Sequence, residues 1–143
     1  MNGDTKWSSG SLRVSSAVRR SSEISAVMGC EPSFSADRGD PVTPRNPAGQ
    51  VRHESICVFS SGLGDSEPLE VHLNKLIAFC AQRVGALRGL AEDCEIDLFL
   101  GISSESGQAG FVVDRGALER LARLPVSLTV DLYPPERSGE IDS

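Results

Sequence analysis

Two runs of strict alternation bracket a helical signal in the last third of the chain, and they constrain the fold more than any other feature. Ile96, Leu98, Leu100 and Ile102 alternate with Asp97, Phe99, Gly101 and Ser103, and Val126, Leu128, Val130 and Leu132 alternate with Ser127, Thr129, Asp131 and Tyr133. A side-chain period of two belongs to a strand with one face buried and the other turned away from the core. Between the runs, Asp114 suits the N-cap of a helix whose apolar positions are Leu118, Leu121, Ala122 and Leu124. Pro125 stops that helix, because it has no amide hydrogen and its ring crowds the preceding turn. Phe111, Val112 and Val113 predict a further short strand, joined to the 96–102 strand as a β-hairpin through the turn material Ser104–Gly107.

Upstream, apolar residues recur every three or four positions from Glu67 to about Ala91: Leu69, Leu73, Leu76, Cys80, Val84, Leu87 and Ala91. That spacing draws an apolar stripe down one long amphipathic helix. Asp65 or Ser66 can cap it, Pro68 is tolerated in its first turn, and Glu67 and Glu70 suit the positive end of its dipole. Ile56–Phe59 predicts a short strand ending at Ser60-Ser61-Gly62, Leu12–Val18 another strand, and Ser22–Met28 a helix with Gly29 at its left-handed C-cap. From residue 55 onward the order is therefore strand, helix, strand, strand, helix, strand. This is the split βαβ order of a ferredoxin-like α+β fold, with both helices on one face of an antiparallel sheet. The earlier strand and helix add a βα unit at an edge, and the reverse sheet face is bare unless that unit or a second subunit covers it.

One domain fits 143 residues. The reading divides them into a weakly ordered 1–9, a domain over 10–133 and a flexible tail over 134–143. Within the domain, residues 33–53 hold Pro41, Pro44, Pro47, Gly39 and Gly49 without hydrophobic periodicity, the composition of a surface loop. The net charge of −6 is concentrated in residues 65–114, where nine acidic groups face three basic ones. It offers no electrostatic reason to bind nucleic acid. No apolar run approaches the roughly 20 residues of a membrane span, and the polar, serine-rich Met1–Val18 lacks the apolar region of a secretory signal. A cytoplasmic protein is expected. Cys30, Cys57, Cys80 and Cys94 lack the paired spacing of a structural zinc site and read as free thiols, with Cys30 the most exposed. No metal or cofactor is expected.

Catalytic patterns are weak. Glu70 and His72 lie two apart on a helix, so their side chains diverge by about 200° and cannot form a dyad. Glu70 reads as support for the helix N-terminus and His72 as a flank of the apolar stripe. His53 ends the Pro/Gly loop, and no spacing joins it to His72 as a metal site. Gly101-Ile102-Ser103-Ser104-Glu105 departs from the nucleophile elbow at its last position, and Ser61-Gly62-Leu63-Gly64 lacks the lysine of a phosphate loop. The reverse sheet face is richer. Alternation places Asp97 and Phe99 there, and Asp131 and Tyr133 beside them, with Cys57, Phe59 and Ser61 as further candidates. Acidic and aromatic side chains on one face suit a partner bearing positive charge. The plainer alternative packs Phe99 and Tyr133 beneath the N-terminal βα unit, with the acids solvated at the rim.

Several short elements, in order, resemble a known family. They are Met28-Gly29 with Glu31-Pro32, Ser60-Ser61-Gly62, Leu69-Glu70-Val71-His72-Leu73, Ile96–Gly101, Gly110-Phe111 and Leu132-Tyr133. Over about residues 10–133 the chain resembles the bacterial family catalogued as domain of unknown function 4279. That family usually carries an aromatic residue, commonly tryptophan, just before the serine motif, where this chain has Cys57. The resemblance implies no activity. Three readings follow. The first is a small acidic binding module without a catalytic role, whose partner is a protein, for instance a basic toxin domain that it neutralises. The second is a small-molecule sensor or minor enzyme with a pocket near the 33–53 loop, using His53, Glu70 or His72. The third is a homodimer paired through sheet faces or edges.

Overall fold

The alternating runs become neighbouring strands of one sheet. The structure is a computed structural model that describes residues 5–133 apart from 47, 107 and 109. Its strands are β1 (Thr5–Ser16), β2 (Phe34–Ala36), β3 (Ser55–Ser60), β4 (Glu95–Ser104) and β5 (Ser127–Tyr133), and the helices are α1 (Ser21–Met28), α2 (Leu69–Ala81), α3 (Val84–Leu90) and α4 (Arg115–Ala122). The sheet order is β2-β3-β1-β4-β5. β1 pairs antiparallel with both β3 and β4, β2 pairs antiparallel with β3, and β5 runs parallel to β4. Over the described residues the fold is α+β, with four helices and a mixed, open five-stranded sheet.

Register explains which side chains meet. Leu12 of β1 lies opposite Phe59 on one side and Leu98 on the other, and Val14 opposite Cys57 and Ile96. All six are buried in one apolar cluster with Ile24 and Met28 of α1, Leu69, Leu73, Leu76 and Ile77 of α2, and Leu87 and Leu90 of α3. The helices therefore share one layer, on the face that carries these residues. Gly10 sets how closely that layer sits. A Cβ there would lie 2.9 Å from the His72 Cβ and 3.0 Å from Leu76 Cδ1, so α2 rests directly on β1. At the ends of helices, Gly29 takes φ 75° and donates its N–H to the Ser25 carbonyl, and the Asp114 carboxylate accepts from the Ala117 amide at 2.8 Å.

Several expectations are corrected. The second hairpin strand at 111–113 does not form, because β4 already has β1 along one edge and β5 along the other. The segment instead crosses α2, with Phe111 and Val113 against the core and the Val112 amide donating to Glu70 Oε2 at 3.3 Å. Loss of that strand makes β4-α4-β5 a parallel crossover, so the sheet does not have the all-antiparallel ferredoxin-like arrangement. The N-terminal strand is not an edge addition. It is the middle strand, and it begins at Thr5, well before Leu12. The expectations for residues 1–4 and 134–143 lie outside the described residues.

The expected 67–91 helix breaks at Gln82-Arg83, and Pro68, not Asp65 or Ser66, holds the N-cap position of α2. The 33–53 loop contains β2, and a bridge between Pro41 and Val51 closes the rest into an arm. Cys94 is half-buried like Cys30, so only Cys57 and Cys80 behave as core thiols. Among the described residues no helix is long and apolar enough to cross a membrane.

Candidate functional site: the open face of the sheet

Side chains of odd parity on β1 and β4 point away from the helices. Parallel pairing of Asp97 with Ser127, Phe99 with Thr129 and Gly101 with Asp131 carries the same face onto β5. Asp97, Phe99, Asp131 and Tyr133 therefore share one surface, as alternation implied. The packing alternative fails, because α1 belongs to the other layer and β1 lies within the sheet, leaving no βα unit to cover Phe99 and Tyr133. Cys57, Phe59 and Ser61 do not join them. All three are buried on the helix side, and from β3 it is Ile56 and Val58 that face outward, with Phe34 of β2 opposite Val58.

Three residues complete this face that sequence reasoning passed over. Arg13 lies opposite Asp97 in the ladder, yet its guanidinium stacks over the Phe99 ring, 3.8 Å from the centroid. Asp97 turns to its other neighbour and accepts from the Thr129 hydroxyl at 2.9 Å. The Arg13 Nε is buried without an acceptor. Trp7 meets Tyr133 with ring centroids 5.0 Å apart and planes tilted by 49°. Gly101 makes room for that contact, since a Cβ there would come within 3.4 Å of both rings and 3.0 Å of Ser9 Oγ. Phe34 carries Arg52 of the arm, 5.5 Å above its ring. Asp131, as hydrogen-bond partner and negative charge, raises the Tyr133 phenol above its ordinary value. Arg13 alternates with Leu12 and Val14 inside the expected strand, and extending the same period of two backward from Leu12 reaches Trp7.

Two adjoining hollows mark the face. One, of about 730 Å³, lies between Arg13, Asp97, Ser127, Thr129 and the Leu124–Val126 turn. The other, of about 690 Å³, lies under the arm between Val42, Val51, His53 and Glu54. Ser15 and Ile56 line both.

His53 and His72 are on opposite faces of the sheet, so the constellation of His53, Glu70 and His72 is not brought together. His72 is buried against Gly10 on the helix side, and its Nδ1 shares a 2.8 Å hydrogen bond with Ser61 Oγ. Burial pushes the imidazole below its ordinary value, with the Gly64 carbonyl and Glu67 opposing. This is a nucleophile–base distance, but Ser61 and His72 are 6% and 1% exposed, and Ser61 Oγ also accepts from the Leu63 amide. Such a pair joins β3 to α2 and offers nothing to a substrate. Among the described residues, no three His, Cys, Asp or Glu side chains stand where they would hold a metal ion.

A family model described as Domain of unknown function (DUF4279) matches residues 5–135. The chain belongs to the DUF4279 family. No curated protein and no solved structure gives a significant match to this DUF4279 chain. Two of the elements that carry the likeness, the serine motif and the α2 opening, meet in the Ser61–His72 hydrogen bond. Cys57, at the position where the family resemblance leads to an aromatic ring, donates its thiol to the Ser21 carbonyl at 3.3 Å inside the core. A ring at that position of a DUF4279 domain would lie under α1 and not on the open face.

Proposed function

We propose that this protein is a small acidic binding module of the cytoplasm, that it performs no reaction, and that its open sheet face receives a protein partner presenting positive charge. The observation carrying this reading is the face itself. Trp7, Phe99 and Tyr133 lie half-buried or exposed across three adjacent strands with no helix over them among the described residues, and Asp97, Asp131 and Glu95 stand among them. Rigid aromatic anchors among charges are what protein interfaces select, and the carboxylates add steering toward a basic surface. Four cysteines without a disulfide suit a reducing compartment. The test is retention of proteins from the source cell's lysate by the wild type, by Phe99→Ala with Asp97→Lys, and by a helix-side control, Lys75→Glu. A basic protein held by the wild type and the control but lost by the face variant supports the reading; equal retention by all three refutes it.

A second reading rests on the hollow under the arm, whose size suits a small ligand. It differs in its readout: His53→Ala with Val51→Asp would abolish a metabolite-dependent rise in Tm and leave protein retention intact.

A further inference from the structure

The two edges of the sheet are built differently. β2 is three residues long and follows Pro32, the short, blunted edge that discourages further pairing. β5 has seven residues, contains no proline, lysine or arginine, and ends the ladder at the opposite side. On its helix-layer side Leu128, Val130 and Leu132 remain 38%, 43% and 45% exposed, because α4 packs beside α2 and leaves this strip uncovered. Its one charge, Asp131, lies on the open-face side, and a long edge strand with so little protection is a template for another strand.

We propose that the occupant is a second copy of this chain, paired antiparallel β5 to β5 about a two-fold axis through Val130. The argument is the self-complementarity of Ser127-Leu-Thr-Val-Asp-Leu-Tyr133. Reversed onto itself with Val130 at the centre, it uses all seven residues. Leu128 falls opposite Leu132 of the partner subunit, and Thr129 opposite Asp131 of the partner subunit, while Val130 meets its own copy. Apolar residues meet apolar ones, and the carboxylate meets a hydroxyl. Moving the centre one residue to Asp131 would set two carboxylates face to face, which is destabilising. The segment 134–143 is a poor competitor for this strip, since it opens with two prolines and holds one large apolar residue, Ile141. Pairing of this kind satisfies the outer backbone of β5 and yields one ten-stranded sheet with both helix layers on the same side. The proposal is independent of what the open face binds.

The test is the solution mass of the full chain by sedimentation over a concentration series, with far-UV circular dichroism and Trp7 emission confirming each fold. The wild type is expected to show a monomer–dimer equilibrium. Val130→Lys and Val130→Glu each place like charges across the axis and should each weaken the dimer by at least about tenfold. Mixed in equal amounts, they should recover a dimer, because position 130 then faces its opposite charge. A wild type that stays monomeric at every concentration overturns the proposal and leaves the edge to another protein or to residues 134–143. Variants that dimerise unchanged, or a folded mixture that stays monomeric, overturn it equally, since the axis then does not pass through Val130.

Discussion

Replacing Gly10 by alanine should destabilise this protein, although the same change in an ordinary strand would help. Gly in a strand interior costs about 0.5–1 kcal/mol relative to Ala, so an unobstructed site would gain that much. Here the added methyl would stand 2.9 Å from the His72 Cβ, 3.0 Å from Leu76 Cδ1 and 3.2 Å from Leu100 Cδ2. The Leu tips can adjust, but the His72 Cβ is fixed to the helix backbone, so α2 itself must retreat by several tenths of an ångström. That helix buries Leu69, His72, Leu73, Leu76, Ile77 and Cys80, and a shift loosens all of them together. Overpacking of this kind costs about 1–3 kcal/mol. After the propensity gain, the net loss is centred at about 1 kcal/mol, within a range of about 0–2.5 kcal/mol. Urea unfolding followed by emission from Trp7, the chain's single tryptophan, reads this as a lower midpoint with an unchanged slope. Adding Leu76→Val should recover part of the loss and not all of it, because the His72 contact remains. If Gly10→Ala instead raises stability by about 0.5–1 kcal/mol, the close approach of α2 to β1 is wrong.

Further outcomes follow from the same packing. Burial holds the His72 imidazole below its ordinary value, so the unfolded chain binds the extra proton first as pH falls below about 6.5. Stability then declines with falling pH, by up to about 1.4 kcal/mol per pH unit, until the folded group also protonates. His72→Gln should flatten the urea midpoint between pH 7 and 5, and parallel curves for the two proteins would contradict the assignment. Burial pushes the Cys57 thiol up to about 11 and that of Cys80 up to about 12. Ellman's reagent at pH 8 should therefore titrate no more than Cys30 and Cys94 before unfolding and all four thiols afterwards; rapid loss of four in the native state would refute the core. Asp114→Ala removes the α4 cap and should cost about 1 kcal/mol, with Asp114→Asn recovering most of it.

What could be read in advance was what local periodicity encodes. The alternation of β4 and β5, the stripe of α2 and the caps at Gly29 and Asp114 each depend on near neighbours, and each appears where the pattern put it. The full length of β1 is hard to read because Ser8, Gly10 and Ser16 occupy its buried positions, which hides the alternation around Leu12 and Val14. The parallel pairing of β5 was illegible because Phe111-Val112-Val113 has strand propensity, and only competition for the edges of β4 decides against it. The break at Gln82-Arg83 carries no proline or glycine to announce it. Its use is tertiary, since α3 turns to bury Leu87 and Leu90 with α1. For the open face, parity grouped Asp97, Phe99, Asp131 and Tyr133 correctly. It could not show that Arg13 would stack on Phe99 and leave Asp97 to Thr129, because that choice is made between strands more than 80 residues apart in sequence.

That separation also governs how the protein is made. β1 leaves the ribosome well before β4, yet its ladder to β4 requires residues such as Phe99, which pairs with Ser11. Closing so long a loop precedes any reward from the contacts it enables, and topologies dominated by such pairings fold slowly. Until β4 emerges, β3 is the strand available to pair with the Leu12–Val14 segment, while α1 and α2 can cover its apolar side. The nascent chain therefore depends on the β1–β3 pair as a holding structure, and a ribosome paused before Glu95 should carry a two-stranded or three-stranded remnant open to protease attack.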